Sequence, residues 1–215
     1  RMLWDLERYT HRGSTRGHVW TITGDSRALE IEDNSIDLVI TSPPYCTRID
    51  YVVSTKPELL LMGYGEDEVD GLRRENIGAP VIVDKSIVAR PIWGSQCNEL
   101  LKGVAQHQSK ASRSYYLPLY LQYFRDAELS LREIERVLCP GGKAAIVVQS
   151  SYYKELEIPL GEIYVEMAQA LGAHAEVGRR EVVKQHMAHI NTKSSEYARN
   201  KVYYEDVVYV EKPAA

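Results

Sequence analysis

"EIERVLCPGGKAAIVV", residues 133–148, carries the chain out of a helix and into a strand. Upstream of it, from about Leu117, apolar residues recur at helical spacing. Leu131, Ile134 and Leu138 fall at i, i+3 and i+7, and Leu121 and Phe124 extend the stripe. Proline cannot continue a helix and glycine supplies its closing turn, so a stop is predicted at Cys139-Pro140-Gly141-Gly142. The following AAIVVQS (144–150) reads as a fully apolar strand. A long amphipathic helix feeding such a strand points to helices packed on a sheet.

Working outward, IDLVI (36–40) reads as a second buried strand running to residue 42. HVWTIT (18–23) reads as a shorter one that ends at Gly24-Asp25-Ser26. Residues 26–35 hold a short helix or turn, with Asp33-Asn34-Ser35 as the turn signal. ELLLMG, beginning at Lys56-Pro57, looks helical, because proline suits a first helical turn. Residues 63–113 read as irregular, with VIVD (81–84) a candidate short strand and a helix starting within 98–105. Beyond the apolar strand, a helix is predicted over 159–171, ending at Gly172. Strands follow over 175–183 and 202–210, joined by a polar loop. The predicted fold is therefore α/β, a Rossmann-like, mostly parallel sheet of five strands. The last two, with no helix between them, form an antiparallel edge pair. The whole of 1–215 reads as one domain, with 18–62 and 114–215 as core and 63–113 as a basic insert.

The bulk numbers agree with such a domain. The 215 residues suffice for one core, and 44% hydrophobic with 26% charged residues is ordinary for a soluble globular chain. No apolar run approaches the roughly 18 residues of a spanning helix. The start, RMLWDLERYTHRG, lacks the apolar stretch of a signal peptide, so a cytoplasmic location is expected. Cys46, Cys97 and Cys139 are far apart and read as free thiols in a reducing compartment. Neither they nor the six histidines, His186 and His189 included, show metal-ligand spacing, so no metal is expected. The net charge is −4, yet residues 71–125 alone carry +5 and the remainder −9. A basic middle in an acidic body suits an anionic partner met on one face. A solvated loop with several lysines accounts for it equally well. The chain begins at Arg1, which fits a fragment, a processed chain, or the ordered part of a longer one.

Three features fall at predicted strand ends, where open α/β sheets bind ligands: Gly24-Asp25-Ser26, Ser42-Pro43-Pro44-Tyr45 and Gln149-Ser150-Ser151-Tyr152. The second lies in "TSPPY" (41–45). This resembles the (D/N/S)PP(Y/F/W) motif of amino-methyltransferases that modify the exocyclic amine of a nucleobase. The serine form is most similar to the DNA cytosine-N4 branch. The flanks resemble the family too: "GDSRALEIEDNSIDLVITSPPY" has its spacing from Gly-Asp to the corner, and 133–148 is similar to its helix, PGG turn and next strand. The resemblance covers roughly residues 18–150. It implies a class I methyltransferase fold, S-adenosylmethionine as methyl donor, and DNA as substrate, with cytosine N4 ahead of adenine N6. RNA or tRNA base-amine methylation, and a non-catalytic nucleic-acid-binding subunit, are the alternatives.

The chemistry of the motif follows from its residues. An exocyclic amine is a poor nucleophile because its lone pair is delocalised into the ring. Two acceptors, the Ser42 hydroxyl oxygen and the Pro43 carbonyl held by the stiff Pro43-Pro44 pair, can bind its two N–H groups and favour a more pyramidal nitrogen. Tyr45 can stack on a flipped base, and most of the catalysis is then orientation. By resemblance, Gly24, Asp25, Ser26 and Thr41 lie near the adenine end of the cofactor. A simple Gly-Asp-Ser strand exit is the plainer reading of the first three. Arg48, Arg73 and Arg74 are candidates for nucleic-acid contact, or else surface arginines paired with Asp50 or Glu75. Tyr115, Tyr116, Tyr120 and Tyr123 form either a base-stacking strip or, at helical spacing, part of the core. The basic run His11–His18 either clamps a phosphate or is a mobile end. The family also needs a Gly-rich loop after a first strand and an acidic residue after a second, and neither is found here. A second chain or a missing segment is the expected source.

Overall fold

The structure is a computed structural model that describes residues 17–46, 49–183 and 201–214. In chain order its elements are β1 (Ile36–Thr41), the helices α1 (Tyr51–Ser54), α2 (Lys56–Leu61), α3 (Glu66–Glu75), α4 (Gly94–Gln106) and α5 (Leu117–Val137), then β2 (Leu138–Gln149). A small hairpin, β3 (Ser151–Tyr153) with β4 (Leu156–Ile158), precedes α6 (Leu160–Ala170), β5 (His174–Val182) and β6 (Tyr204–Glu211).

The main sheet has the order β1-β2-β6-β5. β1 and β2 are parallel, while β6 runs antiparallel to both β2 and β5. Three of the four strands therefore share one direction and β6 alone is reversed. This is the expected Rossmann-like α/β arrangement with an antiparallel pair at one edge. β1 is the other edge among the described strands, and it leaves Leu38 58% and Ile40 74% exposed.

The stretch 133–148 behaves as predicted at its helical end and differently at the turn. α5 ends at Val137, and Leu138 switches at once to extended backbone (φ −63°, ψ 134°). Strand pairing begins there, before residue 144. Between the pairs Ile36↔Leu138 and Leu38↔Lys143, β1 advances two residues and β2 five. Residues 139–142 are thus a bulge inside a strand rather than a linker. A Cβ on Gly142 would sit 2.8 Å from the Cys139 carbonyl oxygen and 3.1 Å from that of Ile36, so the bulge requires glycine.

One core lies between a single face of the sheet and the helices packed on it. α4 contributes Cys97, Leu100, Leu101 and Val104, α5 contributes Phe124, Ala127 and Leu131, and α6 contributes Ile163 and Met167. They pack with Ile146 and Val148 of β2 and Val208 and Val210 of β6. The expectation that 63–113 is irregular is therefore corrected. It holds α3 and α4, and Trp93 is fully buried with its indole N–H donating to Glu128 at 2.8 Å.

Three further expectations are corrected. VIVD (81–84) forms no strand, because the Gln122 side chain takes its backbone groups instead: Val83 N–H donates to Gln122 Oε1 (2.9 Å) and Gln122 Nε2 to the Val81 carbonyl (3.1 Å). HVWTIT (18–23) forms none either. No described strand lies beside it to complete a ladder, and Val19, Trp20 and Ile22 are exposed. The described main sheet thus has four strands, and the β3–β4 hairpin was not anticipated. The polar loop with His186 and His189, the run from His11 to Arg16, and Arg48 lie outside the described residues.

No helix among the described residues is long and apolar enough to cross a membrane.

Candidate active site

Because β1 and β2 are parallel, their carboxyl ends reach the same edge of the sheet. Thr41 is the last residue of β1, opposite Ile146. From there Ser42-Pro43-Pro44-Tyr45 leaves the sheet as the predicted stiff corner. The Ser42 hydroxyl donates to the Val147 carbonyl of β2 at 3.2 Å. With its proton committed, Oγ is left as an acceptor. The Pro43 carbonyl takes no donor among the described residues. The Pro44 carbonyl accepts from the Tyr123 hydroxyl at 3.1 Å. The Tyr45 N–H donates to the Tyr51 hydroxyl at 3.4 Å.

The corner is pressed from a second side. Gly78 has φ +79°, and a Cβ there would meet the Tyr45 carbonyl oxygen at 2.8 Å and Pro44 Cβ at 3.6 Å. Tyr123 comes from the core face of α5, where burial, with Tyr164 alongside, pushes its phenol well above the ordinary value, so it remains a neutral donor. The structure thus places Tyr120 and Tyr123 in the core, Tyr123 as a support of the motif, while Tyr115 is 40% exposed.

Two openings flank the corner. The larger, about 320 Å³, is lined by Ser42, Pro43, Pro44, Tyr45, Tyr51 and Asn76. The smaller is a narrow cleft walled by the same four corner residues with Val147, Val148, Gln149, Leu160 and Glu205. Gln149, singled out in sequence by its strand end, is therefore beside the corner. Tyr51, Asn76 and Glu205 were not found in sequence. Asp50 caps α1, accepting from Val53 N–H at 3.0 Å, and so sets Tyr51 at the start of that helix.

The other candidates sit apart from these openings. Asp25 accepts from the Arg27 backbone N–H (2.8 Å) and from its guanidinium (2.7 Å), which holds its carboxyl below the usual carboxylate range. Ser26 pairs with Ser130 at 3.0 Å, and nothing lies within 4 Å of a Cβ on Gly24. Asp25 keeps lone pairs for an amino group, but Gly24, Asp25 and Ser26 supply no enclosure. Arg73 donates to Asp50 at 2.8 Å and Asp70 at 3.3 Å, clipping α3 to the cap of α1. Arg74 is exposed and makes no ion pair among the described residues. No group of three His, Cys, Asp or Glu side chains among the described residues gathers closely enough to hold a metal ion.

No protein-family model matches the chain. It is similar to the type II methyltransferase M.AvaI of Nostoc sp. PCC 7120, 29% identical over 159 residues, which cover 68% of this chain and 33% of that protein. It is also similar to the type II methyltransferase M.BsoBI of Geobacillus stearothermophilus, 25% identical over 164 residues, covering 66% and 32%. The chain thus spans about a third of the length of the curated relatives it matches. Among solved structures, a candidate DNA modification methylase from Thermus thermophilus, complexed with S-adenosyl-L-methionine, aligns over 89% of this chain and 54% of its own. The TM-score is 0.43 and the identity 19%.

Proposed function

We propose that this chain carries the base-holding part of an S-adenosylmethionine-dependent DNA methyltransferase acting on an exocyclic base amine, with cytosine N4 ahead of adenine N6. The observation that carries the reading is the state of the two acceptors. Ser42 has spent its proton on Val147, and the Pro43 carbonyl takes no donor among the described residues, beside a cavity of about 320 Å³. The similarity to two type II methyltransferases supports the same reaction class.

On this reading a flipped base enters the larger opening and stacks on Tyr45. Ser42 Oγ and the Pro43 carbonyl each accept one N–H of its amine, so the nitrogen lone pair points away from both. The methyl donor, when bound, supplies an electrophilic methyl group. The chain's own work is orientation, fixed by Tyr123 and Gly78 behind the corner, and no side chain need act as a strong base. Cytosine N4 is put first because the serine form of the motif, TSPPY, resembles the cytosine-N4 branch most closely.

Asp25, with Gly24, Ser26 and Thr41, is proposed to meet the adenine end of the donor. The Gly-rich loop that would hold the rest comes, on this proposal, from a further segment or a second chain. β1 is a sheet edge where more sheet would add, and Leu38 and Ile40, two residues apart on one face of β1, leave that face open to a further layer. Arg74 and other cations of the 63–113 region, together with Arg48 outside it, are proposed to contact DNA phosphates.

The test is methyl transfer from labelled S-adenosylmethionine to duplex DNA, with the segment or second chain that carries the Gly-rich loop supplied, by wild type and by Ser42→Ala and Tyr45→Ala, with the modified nucleoside identified by mass. Transfer lost in both variants, with N4-methylcytosine as the wild-type product, is the expected result. Activity surviving both substitutions would sink the assignment of the corner.

A further inference from the structure

We infer that Asn76 reads the target base, donating a hydrogen bond from its carboxamide to the ring nitrogen next to the amine being held. The inference rests on the proposed function and adds a residue that the motif does not contain.

It begins with the polar groups around the 320 Å³ opening. The two acceptors that suit an amine belong to the corner. The Tyr51 hydroxyl accepts from Tyr45 N–H and keeps its own O–H as a second donor at the opening, which the Asn76→Ala variant separates from the carboxamide. The backbone of Asn76 is already used: its N–H donates to the Leu72 carbonyl at 3.0 Å and its carbonyl accepts from Ala79 N–H at 3.3 Å. Its side chain is half-buried against the opening, yet the carboxamide has no hydrogen-bond partner among the described residues. A half-buried amide in a cavity wall, with its backbone satisfied, is suited to a ligand.

The position is held rather than incidental. Asn76 is the residue at which α3 ends, with ψ 128° turning the chain away from the helix. Arg73, one turn earlier, ties α3 to Asp50 and so to the helix that presents Tyr51. Two residues later Gly78 lies against the Tyr45 carbonyl. The wall bearing Asn76 is therefore fixed to the corner bearing Ser42 on both sides.

The chemistry that fits is an aminated base. Beside its exocyclic amine, cytosine presents N3 and adenine N1, each an acceptor. Beside their carbonyls, thymine and guanine present a ring N–H instead. A carboxamide N–H reaching that ring atom complements the first pair and leaves a donor facing a donor with the second. A site that hydrogen-bonds a substrate atom rejects the analogue lacking it, because its own polar group is then left unpaired.

The experiment compares methyl transfer to duplex DNA containing cytosine or 3-deazacytosine at the modified position. It uses the full protein together with the segment or second chain that carries the Gly-rich loop, wild type and Asn76→Ala, with competition for the two duplexes in one tube. The analogue keeps the amine and replaces N3 by C–H. The expected result is that wild type prefers cytosine about tenfold, a typical loss for one buried hydrogen bond, and that Asn76→Ala lowers transfer to cytosine and abolishes the preference. Equal preference in both proteins overturns this inference and leaves the parent reading standing. No transfer by wild type to either duplex overturns the parent reading and this inference with it. Because preference is a ratio within one sample, partial unfolding of the variant does not alter it. Asn76→Asp, which exchanges the N–H₂ donor for an acceptor, should reduce transfer to cytosine more than Asn76→Ala does.

Discussion

The Tyr123 hydroxyl, on the buried face of α5, donates to the Pro44 carbonyl 79 residues earlier in the chain. This bond ties the stiff corner to the centre of the core. It also explains why Pro43, and not Pro44, has the available carbonyl. Tyr123→Phe keeps the ring packing and removes only the hydroxyl. The bond and the contact to the Tyr164 hydroxyl at 3.4 Å are lost together, at an expected cost of about 1–2 kcal/mol in urea unfolding. Methyl transfer should fall about tenfold more than the stability loss accounts for, since the corner then has one anchor fewer.

Gly78 and Gly71 lie seven residues apart and should respond in opposite directions. Gly78 has a positive φ, and a Cβ would strike the Tyr45 carbonyl oxygen. Gly78→Ala should destabilise by about 2 kcal/mol or more and displace the corner. Gly71 lies inside α3 with nothing within 4 Å of its Cβ position. Gly71→Ala should stabilise by about 0.5–1 kcal/mol through helix propensity. Thermal melts of the pair check both signs, and a stabilised Gly78→Ala would contradict the close approach.

Much of the candidate site was legible in sequence because a short motif carries its corner. Ser42-Pro43-Pro44-Tyr45 is contiguous, and its place at a strand end follows from the apolar run before it. Asn76 and Tyr51 gave no such signal. They reach the opening through the packing of α1 and α3, held by the Arg73–Asp50 ion pair, which the sequence offers only as one alternative for Arg73 and without placing either helix. VIVD misled for a related reason: β-type residues need a neighbouring strand, and here the Gln122 amide satisfies their backbone instead. The PGG stop was readable as a helix end. That it is a bulge in β2 depends on β1 lying alongside, which is a tertiary fact.

Glu128 is fully buried and accepts from Arg90, Arg132 and the Trp93 indole. It joins the short helical turn at Pro91–Trp93 to α5. Glu128→Gln keeps the shape but removes the charge that balances two guanidinium groups. The guanidinium groups of Arg90 and Arg132 that remain are nearly half exposed, so a loss of about 1–2 kcal/mol is expected. Equilibrium denaturation measures it, and an unchanged midpoint would show that the two arginines are compensated elsewhere.

Two carboxylates predict the acid limb of stability. The side-chain hydrogen bond from Arg27 lowers the pKa of Asp25, and that from Arg136 lowers the pKa of Glu133. A depressed folded-state pKa contributes stability that is fully present above the unfolded value. It is lost as pH falls through the folded value. The window therefore opens at the ordinary carboxylate range and extends below it. Melting temperature should be flat near neutrality and fall with acid there. Asp25→Asn combined with Glu133→Gln should flatten that fall, and an identical slope in the double variant would remove these two groups as its cause.

Arg73 and Arg74 are adjacent in sequence and should separate in experiment. Arg73 is spent on Asp50 and Asp70, whereas Arg74 is exposed with no ion pair among the described residues. Arg74→Ala should weaken DNA binding uniformly across sequences and reduce the slope of log affinity against log salt by about 1, as removal of one phosphate contact does. Its melting temperature should stay within error. Arg73→Ala should leave the salt slope nearly unchanged, lower stability, and loosen the wall that holds Tyr51 and Asn76. Its transfer rate would then fall at saturating DNA, where a lost phosphate contact would be masked. If Arg73→Ala instead reduces the salt slope at unchanged stability, its guanidinium leaves Asp50 for a phosphate when DNA is bound, and the clip between α3 and α1 is not what sets the opening.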